Sequence, residues 1–185
     1  GMISQNTIKY MYEERMGGQT DFDHSEHHID TTLYGTKLTT GMLEFNGRTG
    51  VALKGKKESS IGFQYSGFYH DQFGYYGKRL YSGSELSGNL RLIYNTRWRD
   101  NHSLDMGLSY KYDDTQEKFD TLSILRSESV PGIFLENTFN MDQIVALIAG
   151  VRADLYNNKV FITPRVSFKY SFTENLDLRA NVGTG

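Results

Sequence analysis

A run of acidic and histidine residues near the N-terminus has the residue types that ligate transition metals. It comprises Asp21, Asp23, His24, Glu26, His27 and His28. Imidazole nitrogens and carboxylate oxygens bind zinc, copper and iron, which makes His24, His27 and His28 candidate metal ligands. A solvated polar loop has the same composition, and the spacing defines no closed set of three or four ligands. Metal binding is therefore one hypothesis for this segment, and we expect no resident cofactor.

The sequence contains no complete catalytic motif. Residues 50–57, Gly-Val-Ala-Leu-Lys-Gly-Lys-Lys, approach a phosphate-binding loop, but Lys57 stands where Ser or Thr would bind magnesium. The sequence has no nucleophile elbow, zinc-protease helix or dinucleotide fingerprint. With no cysteine, it also lacks thiolate metal sites, disulfides and cysteine nucleophiles. Carboxylates such as Asp113 and Asp114 lie in a polar segment, without the apolar surroundings that acid catalysis needs. We therefore predict that the chain is not an enzyme.

Composition favours strands and turns. The 185 residues include 19 Gly, 13 Tyr and 11 Phe but only 2 Pro, and the net charge of -2 points to no nucleic-acid partner. No run of about 18 apolar residues predicts a transmembrane helix. The first residues, Gly1-Met2-Ile3, lack the features of a signal peptide, and a Gly before Met resembles an expression scar. We expect an excised piece of a longer protein.

The elements that would position these residues are long alternating segments. In residues 160–172 the apolar residues are Val160, Ile162, Pro164, Val166, Phe168, Tyr170 and Phe172, and the residues between them include Thr163, Arg165, Ser167, Lys169 and Ser171. A period of two predicts a β-strand, because successive side chains point to opposite faces. Strands of soluble proteins usually have about five or six residues, whereas a tilted strand needs about nine to eleven to cross a bilayer. This strand is long enough to span a membrane.

Eight such strands are predicted, at residues 41–54, 59–70, 86–98, 102–113, 130–139, 142–155, 160–172 and 175–184. The fold class is therefore all-β, an antiparallel up-and-down meander of about 8–10 long strands. Residues 1–40 are assigned to an uncertain N-terminal strand and a polar loop, and residues 41–185 to a segment of a transmembrane β-barrel. The connections alternate between short and long, with 71–85 and 114–129 the long ones, as in outer-membrane barrels.

A polar face opposite the apolar one has two interpretations. A half-buried strand of a soluble sheet also alternates, but strand length, connection lengths and stripes ending in aromatic residues favour the barrel. In a barrel the polar face lines the lumen. The charged residues expected there are Arg152, Asp154, Arg165, Lys169, Asp177 and Arg179. We expect these charges to stay solvated or to pair across strands, and favour such a structural role over ligand binding.

Several short motifs resemble one barrel family. They are Val130-Pro131-Gly132-Ile133-Phe134-Leu135-Glu136, Ala149-Gly150-Val151-Arg152-Ala153-Asp154, Thr163-Pro164-Arg165-Val166 and Leu178-Arg179-Ala180-Asn181-Val182-Gly183-Thr184-Gly185. In this order they resemble the later strands of TonB-dependent outer-membrane receptors of the Bacteroidetes type. The resemblance implies a 22-stranded barrel with an N-terminal plug in the outer membrane of a Gram-negative bacterium. It also implies active import of an iron-siderophore complex, cobalamin or a similar scarce nutrient.

The resemblance also suggests partners and contact residues. If the long connections face the cell exterior, Tyr75, Tyr76, Tyr81 and Phe119 are candidate substrate contacts. Expected partners are outer-membrane lipid, a small nutrient ligand, and the TonB complex and plug domain of the full-length protein, which this sequence does not include. Two alternatives are a self-contained small outer-membrane barrel of structural or adhesive role and a soluble β-sandwich binding module. We expect a fragment with open strand edges to close on itself, to pair with another copy or to require detergent.

Overall fold

Nine β-strands make up nearly all of the chain in the computed structural model, which describes residues 1–24, 32–53, 55, 58–141, 144–173 and 176–184. In chain order they are β1 (Met2–Gly18), β2 (Gly35–Ala52), β3 (Ser59–Tyr76), β4 (Arg79–Arg99), β5 (His102–Phe119), β6 (Leu122–Met141), β7 (Val145–Tyr156), β8 (Lys159–Thr173) and β9 (Leu176–Gly183). No helix long and apolar enough to cross a bilayer occurs among these residues.

The strands form one antiparallel sheet in which each strand pairs with the next along the chain. This order confirms the predicted all-β up-and-down meander. Within the described residues, β1 and β9 each pair on one side only, so the sheet is open. The structure therefore does not show the closed small barrel that was one alternative.

The sheet is a single layer without a second sheet packed on it. Among the described residues, Tyr75 is the only buried apolar side chain, at 4% exposure. A β-sandwich buries the inner faces of two sheets against each other. The soluble sandwich alternative is therefore wrong.

Antiparallel pairing places side chains in rows that cross the sheet on alternate faces. One row consists of Thr49, Phe63, Leu92, Leu108, Ile133, Ala153 and Ile162, and we call its side the apolar face. The adjacent row consists of Arg48, Gln64, Arg91, Ser109, Gly132 and Asp154, and its side is the polar face. The predicted alternation of the two kinds of residue thus holds in these rows across six strands, β2 to β7.

The two long connections predicted at residues 71–85 and 114–129 are wrong. Both are continuations of paired strands that turn at residues 77–78 and 120–121. We call residues 71–84 and 114–127 the hairpin extensions. Both faces of these extensions mix polar and apolar side chains, so the regular alternation disappears while the backbone pairing continues. The segments predicted as long connections are therefore strands that lack a regular alternation of side chains.

The N-terminal segment, assigned above to an uncertain strand and a polar loop, also contains a long paired strand. The N-terminal strand, β1, pairs with β2 from Met2 opposite Val51 to Gly18 opposite Gly35. The tight turn between β7 and β8 has positive φ at both Asn157 (48°) and Asn158 (60°), the backbone of the tightest hairpins.

Some predictions lie outside the described residues. These are the strand end at Lys54, the strand starts at Asp142 and Asn175, Lys57 of the phosphate-loop comparison, and the metal candidates His27 and His28.

The apolar face has a limited height, which is clearest on β5. Its residues on this face are Leu104, Met106, Leu108, Tyr110 and Tyr112, followed by Asp114, Gln116 and Lys118. The apolar part covers nine residues of the sequence, which matches the roughly nine to eleven that a tilted strand needs to cross a bilayer. The hairpin extensions thus begin where the apolar band ends.

Candidate ligand-facing surface

Three aromatic residues meet on the polar face at the tip of the hairpin extensions. Tyr76 ends β3, Tyr81 lies near the start of β4 and Phe119 ends β5. The ring centroids are 6.4 Å apart for Tyr76 and Tyr81, 6.3 Å for Tyr76 and Phe119, and 6.5 Å for Tyr81 and Phe119. These three residues, called the aromatic cluster below, were all predicted substrate contacts.

Charged groups flank the aromatic cluster. The guanidinium carbon of Arg79 lies 5.9 Å from the centroid of the Phe119 ring, and the Tyr81 hydroxyl donates a 3.5 Å hydrogen bond to Glu117. Burial raises the pKa of Tyr81, and the negative charge of Glu117 adds to this effect. Ring faces, a cation and a carboxylate in one place can bind a ligand that has both apolar faces and polar edges.

Tyr75, the fourth predicted contact, lies on the opposite face. Neighbouring residues of a strand point in opposite directions, so Tyr75 and Tyr76 cannot contribute to one surface. The Tyr75 hydroxyl lies 2.9 Å from His24 Nδ1, and the Tyr75 ring centroid lies 6.3 Å from that of Phe22. Burial raises the pKa of Tyr75, an effect that Lys37 opposes. Tyr75 therefore anchors the segment after β1 against the sheet.

The metal hypothesis receives no test from this geometry. His24 bonds to Tyr75, whereas His27 and His28 lie outside the described part of the chain. Among the residues that are described, no group of three or more His, Asp or Glu side chains could hold a metal ion. Metal binding by the segment 21–28 thus stays a prediction.

Ion pairing on the polar face begins with Arg152. Its Nε donates to Asp154 at 2.6 Å and its Nη2 donates to Ser109 at 2.9 Å. A β-carbon at Gly132 would collide with the Asp154 carboxylate and lie 2.8 Å from the Ser109 oxygen. The absent side chain of Gly132 thus makes room for the Arg152 network to cross β6.

The other predicted charges also pair. Lys169 and Arg179 lie 3.2 Å and 3.1 Å from Asp177, and Arg165 pairs with Glu136. The Lys169–Asp177 and Arg165–Glu136 pairs join different strands, as predicted, whereas Arg152–Asp154 and Arg179–Asp177 each lie within one strand. Much of the charge on the polar face near β6 to β9 is therefore paired.

A shallow polar hollow of about 480 Å³ lies on the polar face across β1 to β4. Polar side chains along it are Gln5, Thr7, Asn46, Arg48, Gln64, Asn89 and Arg91. Arg48 donates hydrogen bonds to Gln5 at 3.1 Å and 2.9 Å. Amide and guanidinium groups suit contact with water or with a polar solute rather than with lipid.

Comparison with known protein families agrees with this two-faced sheet. Residues 5–185 match the family described as TonB dependent receptor-like, beta-barrel. The chain belongs to this family. It is thus part of the β-barrel of an outer-membrane receptor of a Gram-negative bacterium, and the apolar face is the lipid-facing side. The family consists of receptors and transporters that work with TonB and a nutrient ligand, rather than of enzymes.

Solved receptors of similar fold have little sequence identity to the chain. The alcaligin outer-membrane receptor FauA from Bordetella pertussis has a TM-score of 0.70 at 12% identity, over 97% of this chain and 32% of its own. The ferric citrate transporter FecA has a TM-score of 0.56 at 12% identity, over 96% of this chain and 33% of its own. The RagAB peptide importer has a TM-score of 0.57 at 14% identity, over 80% of this chain and 22% of its own. The chain thus spans about a third or less of these structures, and no curated protein matches it.

Sequence reasoning missed the charged neighbours of the aromatic cluster. Arg79 and Glu117 lie in segments that were predicted as loops, so no face could be assigned to them. The available signal in the sequence was the turn-forming residues Gly77 and Asp120, which mark both segments as hairpins. Both residues have positive φ in the structure (60° and 57°).

Proposed function

We propose that the protein carrying this chain binds a scarce nutrient at the cell surface and imports it actively across the outer membrane. Candidate nutrients are an iron-siderophore complex, cobalamin or a compound of similar size. The family membership of residues 5–185 supports this function. So do two proteins of similar fold, an alcaligin receptor and a ferric citrate transporter. The observation that carries the proposal is the aromatic cluster on the polar face.

The position of the cluster supports a role in capture. Outer-membrane barrels have short periplasmic turns and extend farther on the extracellular side. The hairpin extensions continue β3 to β6 beyond the apolar band, so we assign their tips to the cell exterior. The aromatic cluster then lies on the lumen side of the extracellular rim, where an arriving ligand enters the barrel.

The polar face supports a role in passage. Below the rim, the paired charges and the amide-lined hollow give a water-compatible wall. A polar solute can exchange hydrogen bonds with water for hydrogen bonds with such a wall. The plug domain and the TonB complex would supply closure and energy in the full-length protein.

The nutrient class is tested by growth. A strain that lacks the gene should grow normally on rich medium and poorly when one nutrient is limiting, either iron as a ferric siderophore complex or cobalamin. Restoring the gene should restore growth on that nutrient alone. Normal growth of the deletion strain on every limiting source would contradict the import proposal.

The role of the aromatic cluster is tested by Phe119→Ala, with Phe73→Ala as the matched control. Phe73 is an exposed phenylalanine in the neighbouring hairpin extension, 71–84, on the opposite face. Loss of one aromatic contact costs about 0.5–1.5 kcal/mol, which corresponds to a roughly two- to tenfold weaker affinity. We expect this weakening in Phe119→Ala and unchanged affinity in Phe73→Ala, measured with the nutrient identified by growth. Equal affinities of the two variants would exclude Phe119 from the binding surface.

A further inference from the structure

The end of β4 opposite the hairpin extensions contains a β-bulge at Trp98. Arg97 pairs with Ser103 and Arg99 pairs with His102, which leaves Trp98 without a partner residue. In a regular strand Arg97 and Arg99 would share the polar face. The extra residue instead turns Arg99 to the apolar face, beside His102. Bulges at barrel rims commonly redirect a side chain in this way.

A chain of hydrogen bonds on the apolar face determines which ring nitrogen of His102 is a donor. Trp98 Nε1 donates to Asn137 Oδ1 at 3.1 Å, so the amide nitrogen of Asn137 is the group that faces His102 Nδ1, at 3.2 Å. That nitrogen can only donate, so Nδ1 accepts and Nε2 carries the ring proton. Among the described residues, Nε2 has no protein partner and is available as a donor.

Arg99 adds a positive charge at the same place. Its guanidinium carbon lies 4.7 Å from the centroid of the Trp98 ring, and the His102 centroid lies 5.1 Å from the same ring. Among the described residues Arg99 has no carboxylate partner, in contrast to Arg97, which pairs with Glu58 at 2.7 Å. Stacking holds the guanidinium in position while its N–H groups remain free to bind an oxyanion.

The location restricts what that oxyanion can be. Trp98 is 52% exposed and ends the apolar stripe of β4, the position at which tryptophan marks a membrane interface. The nearby turn at residues 100–101 lies at the end of the sheet opposite the hairpin extensions, which is the periplasmic side in the orientation proposed above. The periplasmic leaflet consists of glycerophospholipids, whose phosphates lie at the level of the interface.

We propose that Trp98, Arg99 and His102 form a binding site for the phosphate of an anionic glycerophospholipid in the periplasmic leaflet. Arg99 binds two phosphate oxygens through its planar fork, and His102 Nε2 donates to an oxygen as well. The acyl chains of the lipid continue along the apolar face, past Leu104 and Phe139. The site is independent of the imported nutrient and of the aromatic cluster.

The test compares lipid retention by the full-length protein and its variants. The protein is purified from outer membranes into nanodiscs of phosphatidylethanolamine with a minor fraction of phosphatidylglycerol, and bound lipid is counted by native mass spectrometry. Arg99→Gln should reduce retained phosphatidylglycerol by about tenfold or more, because it removes the two charge-assisted hydrogen bonds to the phosphate. His102→Phe keeps the ring contacts but removes the donor, and should also reduce retention.

Arg97→Gln is the matched control, because it removes a cation at the same turn but on the polar face. It should retain phosphatidylglycerol as the wild type does. Heat-modified migration on gels shows that each variant is folded. Equal retention by wild type and Arg99→Gln, or an equal loss in Arg97→Gln, would overturn the proposal. Displacement of the lipid by inorganic phosphate at the same concentration would reassign the site to free phosphate and would also overturn it.

Discussion

Substitution of Gly107 by alanine should destabilise the sheet, whereas the same change at Gly62 should not. The two glycines lie in one row of the polar face, with Ile93 between them. A β-carbon at Gly107 would collide with the backbone oxygen of Leu92 and would lie 2.7 Å and 2.9 Å from two ring atoms of Phe134. A β-carbon at Gly62 would have no heavy atom within 4 Å.

The expected magnitude follows from these contacts. Replacing a strand glycine by alanine in open space stabilises by about 0.5–1 kcal/mol, because the unfolded chain loses freedom. Overpacking a filled site costs about 1–3 kcal/mol. The cost at Gly107 should reach the upper part of this range, because the Leu92 oxygen belongs to the backbone and cannot rotate away. Phe134 cannot move freely either, since Arg91 covers its ring at 4.8 Å.

The assay is a urea titration of the full-length protein folded in detergent micelles, with the folded fraction read from unheated gels. The midpoint of Gly107→Ala should fall and that of Gly62→Ala should stay or rise, with an unchanged slope. The unfolding free energies of the two variants should differ by about 2.5–4 kcal/mol, because the cost at Gly107 and the gain at Gly62 both contribute. Equal midpoints for the two variants would refute the close approach of β4, β5 and Phe134 at Gly107.

Two further predictions concern charges. Burial and Glu117 raise the pKa of Tyr81 above its usual value of 10.0, so stability from this group is complete below that pH and is lost as pH rises through the raised pKa. The Tyr81→Phe variant should therefore lose less stability than the wild type as the pH rises in this range, as followed by tryptophan fluorescence. A pH dependence identical to that of the wild type would contradict this. A double-mutant cycle of Arg152→Gln and Asp154→Asn should give a coupling of about 0.5–1 kcal/mol. The Arg165–Glu136 pair should give less, because Arg165 is 67% exposed and Arg152 is 37% exposed, and the opposite order would contradict the role of exposure.

The sequence identified many residues of the candidate site but not how they are arranged in space. The aromatic residues Tyr76, Tyr81 and Phe119 were recognisable in polar segments, but their grouping requires that those segments pair as hairpins. A segment that mixes polar and apolar residues on both faces has no alternation from which to infer a strand. For the same reason Tyr75 could not be separated from Tyr76, although they point in opposite directions once β3 is known to reach Tyr76.

The sequence by itself determined the order of the strands and the two faces of the sheet. Residues such as Val160 to Phe172 alternate with a period of two, and no other regular structure repeats with that period. Tertiary structure alone decided where each strand ends and which face receives a residue next to an irregularity. Arg99 shows the physical reason: one unpaired residue at Trp98 shifts the register and moves the guanidinium from the lumen side to the lipid side. Such a shift depends on pairing with the neighbouring strand, which a linear pattern does not contain.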